Sequence, residues 1–161
     1  MYTGIDSITT ELGDIRNLAT TLWFCGCKVR CGGCHNSPLI QFKSEGTLEL
    51  MRVKQELIER RKLTEWLVFI GGNPLDSIDS VLEIARFAKE LNYKQFMYTG
   101  YTLKEVENVL TPDQYLEVLN LFEYMKVGKY DSSLSKSCFK EAENYFFETI
   151  NQSILKSNPE K

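Results

Sequence analysis

A chain of 161 residues, 43% of them hydrophobic, has enough apolar material for one buried core and is expected to form a single domain over 1–161. Its formal net charge of −3, a pI near 5.3 and the lack of a long basic block exclude recognition dominated by a nucleic-acid backbone. No stretch of eighteen apolar residues occurs, and MYTGIDSITTELGD has neither the basic start nor the apolar run of a leader, so a cytoplasmic protein with no membrane partner is expected.

After this acidic, polar lead-in, hydrophobic periodicity predicts alternating strands and helices. NLATTLWF (17–24) is β-branched and aromatic, as a strand requires. From Thr47 to Arg61 a helix is predicted, because Leu50, Val53, Leu57 and Ile58 form one stripe. EWLVFI (65–70), halted by Gly71 and Gly72, has the continuous apolar character of a strand buried on both faces. A helix capped by Asp76 follows, its stripe running through Ile78, Val81, Leu82, Ala85 and Ala88. KQFMYTG (94–100) is the next strand. Thr102 with Glu105 forms a capping box, and TPDQ (111–114) repeats that logic with proline at the first helical position. LFEYMKV (121–127) is the fourth strand.

This alternation places the chain in the α/β class with a mostly parallel sheet, and ligands then gather beyond the carboxyl ends of the strands. Four loops are expected on that rim: the cysteine loop, Gly71-Gly72-Asn73-Pro74, Thr99-Gly100-Tyr101 and Gly128-Lys129-Tyr130-Asp131. Four strands cannot close an eight-stranded barrel, so an open, partial β/α barrel is expected, with an edge left for a partner or the tail.

Four of the five cysteines lie within residues 25–34. An odd total in a reducing compartment favours metal ligation or thiol chemistry over disulfides. Cys27, Cys31 and Cys34 have the spacing C-x3-C-x2-C, and three thiolates leave one iron of a [4Fe–4S] cluster open to a small molecule. The competing reading is a structural zinc site completed by Cys25, although a cysteine at a strand end, two residues before Cys27, also suits packing as a small apolar group. Cys138 has no cysteine near it, and the lone His35 gives a histidine-based metal site or a Ser-His-Asp triad little to work with.

Five segments, CKVRCGGCHN, GGNPLD, YTGYTLKEV, VGKYD and TINQSI, occur in the order seen in anaerobic ribonucleoside-triphosphate reductase activating proteins. From about Thr21 to Ile154 the chain resembles that family of radical S-adenosylmethionine enzymes. The resemblance implies the family's partial barrel, a [4Fe–4S] cluster on Cys27, Cys31 and Cys34, and S-adenosylmethionine held near Gly33, His35, Asn36, Gly71, Gly72, Asn73, Pro74, Tyr98 and Thr99. No catalytic residue beyond the cluster ligands is implied. The activity implied is reductive cleavage of S-adenosylmethionine to install a glycyl radical on the large subunit of an anaerobic ribonucleotide reductase, with an electron donor such as flavodoxin or ferredoxin. Two departures stand out. Asn73 occupies the position where the family usually carries an acid beside the ligand's ammonium, and the tail around Asn151 and Gln152 lacks the family's glycine- and serine-rich approach and its arginine.

Overall fold

The computed structural model of the protein describes residues 2–12, 17–43, 45–134, 138–140, 145–147 and 152–156. Twelve elements organise them: β1 (Ile5–Leu12), β2 (Leu18–Phe24), α1 (Leu50–Arg60), β3 (Trp66–Gly71), α2 (Ile78–Glu90), β4 (Lys94–Thr99), α3 (Leu103–Val109), α4 (Pro112–Leu121), β5 (Tyr124–Val127), β6 (Cys138–Lys140), β7 (Tyr145–Phe147) and β8 (Ser153–Lys156).

The main sheet runs β1-β2-β3-β4-β5-β8, with β2 to β5 parallel and the two edge strands antiparallel to their neighbours. The chain is therefore α/β with an open, mostly parallel six-stranded sheet. Period-two alternation divides each central strand between two environments. Leu22, Phe24, Leu67, Phe69, Met97 and Met125 face the helices, where Val53, Leu57, Val81, Leu82, Ala85, Ala88, Val106 and Val118 complete the larger core. Ala19, Val68 and Phe96 belong to a smaller cluster with Trp66, Ile70, Tyr98, Tyr124 and Ile154.

Both capping boxes form, Thr102 with Glu105 on α3 and Thr111 with Gln114 on α4, so each hydroxyl satisfies a helix-end N–H. Four local expectations require correction. The polar lead-in contains β1, a strand that pairs along β2. Helix α1 begins at Leu50, after an extended Glu49 that bridges to Tyr2, rather than at Thr47. On that helix Ile58 is half exposed, off the buried line of Val53 and Leu57. Finally, α2 is entered through Ser77, with a short 3-10 turn at Pro74–Ser77 before it, and the Asp76 side chain does not cap it. The edge expected to be left for a partner or the tail lies beside β5, where the tail strand β8 pairs antiparallel. No described helix is long and apolar enough to cross a membrane.

Candidate metal centre

The four parallel strands end together, and their loops are joined by backbone hydrogen bonds. Gly72 N–H donates to the Phe24 carbonyl and Asn73 N–H to the Gly26 carbonyl, both at 2.8 Å, which ties the loop after β3 to the start of the cysteine loop. Gly26 and Cys27 donate onward to Leu39 and Ile40 at 2.8 and 2.9 Å, closing the cysteine loop at its base. Gly128 N–H reaches the Tyr101 carbonyl at 2.8 Å, joining the loops after β4 and β5. The shared rim is thus formed, and it explains the paired glycines. A Cβ on Gly72 would fall against the carbonyl oxygens of Gly26 and Leu39, and one on Gly71, whose φ is +116°, against the Phe24 backbone.

Beneath this rim lies a cavity of about 290 Å³. Cys27, Cys31 and Cys34 line it together with His35, Asn36, Gly71, Gly72, Tyr98 and Thr99. The structure therefore brings together nine of the expected site residues. Asn36 also donates from Nδ2 to the Gly71 carbonyl at 3.1 Å, holding the cysteine loop to the β3 end. Gly33 lies outside the cavity wall at a left-handed φ of +71°, the conformation that lets the backbone turn between Cys31 and Cys34. Pro74 and Asn73 are buried and are not on the wall. Cys25 is 2% exposed and also absent from the wall, in keeping with its reading as a packed apolar group. Asn151 falls outside the described residues, while Gln152 lines the cavity and donates weakly to the Gly128 carbonyl at 3.5 Å.

Asn73 is held at both ends of its amide. Its Oδ1 accepts from the Thr99 hydroxyl at 2.8 Å and its Nδ2 donates to Asp76 Oδ2 at 3.0 Å. Asp76, unrecognised as a site residue in the sequence, also accepts from the Lys28 backbone N–H at 2.8 Å and the Tyr101 hydroxyl at 2.6 Å. Burial, and then the bond to this carboxylate, pushes the Tyr101 hydroxyl far above its ordinary pKa, so Tyr101 stays a donor. A second unrecognised residue is Lys126, a 2% exposed lysine on the cavity wall with its Nζ 5.1 Å from the centre of the Tyr98 ring. The only sequence signal for it is a charge inside the apolar run YMKV.

A family model described as a 4Fe-4S single cluster domain matches residues 15–154. The chain belongs to that family. Over 116 residues it is also 25% identical to a Methanocaldococcus jannaschii protein provisionally named a glycyl-radical enzyme activating enzyme. The match covers 71% of the chain and 47% of the relative, so the chain spans about half the length of this curated relative.

The cysteine loop fits the group that defines a 4Fe-4S single cluster domain. Burial pushes the Cys31 thiol up, a backbone hydrogen bond from Tyr130 opposes this, and Cys27 and Cys34 are near enough to raise it further. Three thiols on one cavity wall are a suitable donor set for a cluster whose irons are bound by cysteine. Among the described residues no three His, Cys, Asp or Glu side chains are gathered closely enough to hold a single ion. In a cubane each of the three thiolates would serve a different iron.

Proposed function

We propose that this 4Fe-4S single cluster domain is a radical S-adenosylmethionine activating enzyme, with Cys27, Cys31 and Cys34 as its cluster ligands. The observation that carries the reading is the presence of three cysteines, rather than four, on the wall of one cavity that has room beside them for a small molecule. The provisional name of the archaeal relative supports the activating role. The finer assignment, installation of a glycyl radical on the large subunit of an anaerobic ribonucleotide reductase, rests on the five ordered motifs.

Cys27, Cys31 and Cys34 would hold such a cluster, which would supply the electron for cleaving a carbon–sulfur bond of S-adenosylmethionine, the chemistry by which a glycine α-hydrogen would be removed. The chain's own residues position the reactants and exclude water. Gly71 and Gly72, both on the cavity wall, let the end of β3 close against the Phe24, Gly26 and Leu39 backbone, which fixes the wall where β3 meets the cysteine loop. Tyr98, Ile70, Val68 and Trp23 supply an apolar and aromatic part of the cavity wall. A glycine presents its α-hydrogen with no side chain in the way, which suits a backbone segment of a partner as the target.

The test is anaerobic reconstitution, reduction and incubation with S-adenosylmethionine and the cognate reductase subunit. Formation of 5′-deoxyadenosine carrying deuterium from labelled partner glycines, with a doublet radical on the partner, is the expected result. Cleavage with no label transfer, accelerated instead by a small molecule that becomes labelled or modified, would reassign the substrate.

A further inference from the structure

Cys27 is fixed through the peptide units on both sides of it. Its own N–H donates to the Ile40 carbonyl at 2.9 Å, and the next N–H, that of Lys28, donates to Asp76 Oδ2 at 2.8 Å. The Lys28 N–H belongs to the planar unit that carries the Cys27 α-carbon, so orienting this amide orients the cysteine. Asp76 is well placed to do so because it is anchored itself. Asn73 donates to the same oxygen at 3.0 Å and the Tyr101 hydroxyl donates to the other at 2.6 Å. These donors follow β3 and β4, whose central residues Phe69, Phe96 and Met97 are fully buried.

We propose that Asp76 is the positioning residue of the cysteine loop, its carboxylate transmitting the rigidity of the β3 and β4 ends to the peptide plane after Cys27. A neutral acceptor would hold the same geometry. A carboxylate makes the stronger charge-assisted bond and also sets a negative charge beside the loop. Charge and hydrogen bonding near an iron–sulfur cluster tune its reduction potential, so Asp76 acts on the bound group as well as on the free loop. The inference rests on the cluster reading above, but its first consequence belongs to the metal-free chain.

Hydrogen exchange on the metal-free full-length protein tests that consequence. In Asp76→Ala the amides of residues 27–34 are expected to exchange about tenfold faster or more, while Asp76→Asn, which retains an oxygen acceptor, stays close to the parent. Tyr101→Phe removes one anchor of the carboxylate without reshaping the core and is expected to speed the same amides about threefold. If Asp76→Ala fails to fold, the Tyr101→Phe comparison decides. A loop as protected in the substituted chain as in the parent overturns the proposal. On reconstituted protein, Asp76→Asn should bind iron like the parent and shift the cluster potential to a more positive value; an unchanged potential overturns the charge effect. If the parent itself binds no iron, the cluster reading fails, and the exchange result still decides whether Asp76 holds the loop.

Discussion

The Thr99 hydroxyl donates to the amide oxygen of Asn73 at 2.8 Å, and this bond, with the one from Asn73 to Asp76, turns the side chain at position 73 away from the cavity. An acid introduced there faces Thr99 and Asp76. Asn73→Asp would place two carboxylate oxygens where a donor and an acceptor now meet at 3.0 Å. The expected outcome is a loss of about 1–3 kcal/mol in urea unfolding, largely recovered when Asp76→Asn is added. Equal stability of Asn73→Asp and the parent would show that the amide is not held in this way.

The cysteines divide by position. Replacing Cys27, Cys31 or Cys34 with serine should lower iron content after anaerobic reconstitution, since each lines the cavity, whereas Cys25→Ser should keep its iron. Because Cys25 is buried, the serine hydroxyl needs a hydrogen-bond partner, and a stability cost of about 1 kcal/mol is expected from thermal unfolding. Loss of iron from the Cys25 variant with retention in one of the others would reverse the assignment.

Two glycines of the site should respond in opposite ways to alanine. Around Gly32 no atom lies within 4 Å of an added Cβ, so Gly32→Ala should reconstitute like the parent. At Gly72 the added atom meets backbone carbonyls from both Gly26 and Leu39, groups that cannot rotate aside. Gly72→Ala should therefore push the β3 loop from the cysteine loop, reducing iron retention and thermal stability together.

Helix α3, none of whose residues line the cavity, offers a pH-dependent check. The Thr102 backbone N–H, then the Thr102 hydroxyl, hold the Glu105 carboxyl below its ordinary range, with Lys129 adding to the effect. A depressed carboxylate contributes stability above its unfolded-state pKa and loses it as pH falls through the folded one. Glu105→Gln keeps a capping acceptor but not the charge. It should unfold slightly more easily than the parent near neutrality, by a few tenths of a kcal/mol for so exposed a group, and match it well below about pH 4. Thr102→Ala, which removes the cap itself, should cost about 1 kcal/mol at either pH.

The parallel strands were legible because burial on both faces leaves little but apolar residues, as in WLVFIG. Strand β1 was not, because IDSITTEL lies on an edge and only Ile5 is fully buried, so its composition resembles a loop. The cysteines announced themselves by spacing. Asp76 did not: an aspartate just before an amphipathic helix has the local signature of a cap, and only the approach of Lys28, 48 residues away in sequence, gives it another role. Lys126 was hidden for a related reason, since the cavity its strand faces is formed by residues from distant parts of the chain.

The pairing of β8 with β5 has a consequence for how the protein is made. Strands β2 to β5 and their helices are complete on the ribosome by Val127, yet the outer edge of β5 waits for Ser153–Lys156 to arrive. Until then a nascent chain presents an unsatisfied row of N–H and C=O groups beside the developing cavity, open to pairing with another nascent copy. Chains halted or clipped before Ser153 should retain that edge, and their characteristic failure would be self-association rather than simple unfolding.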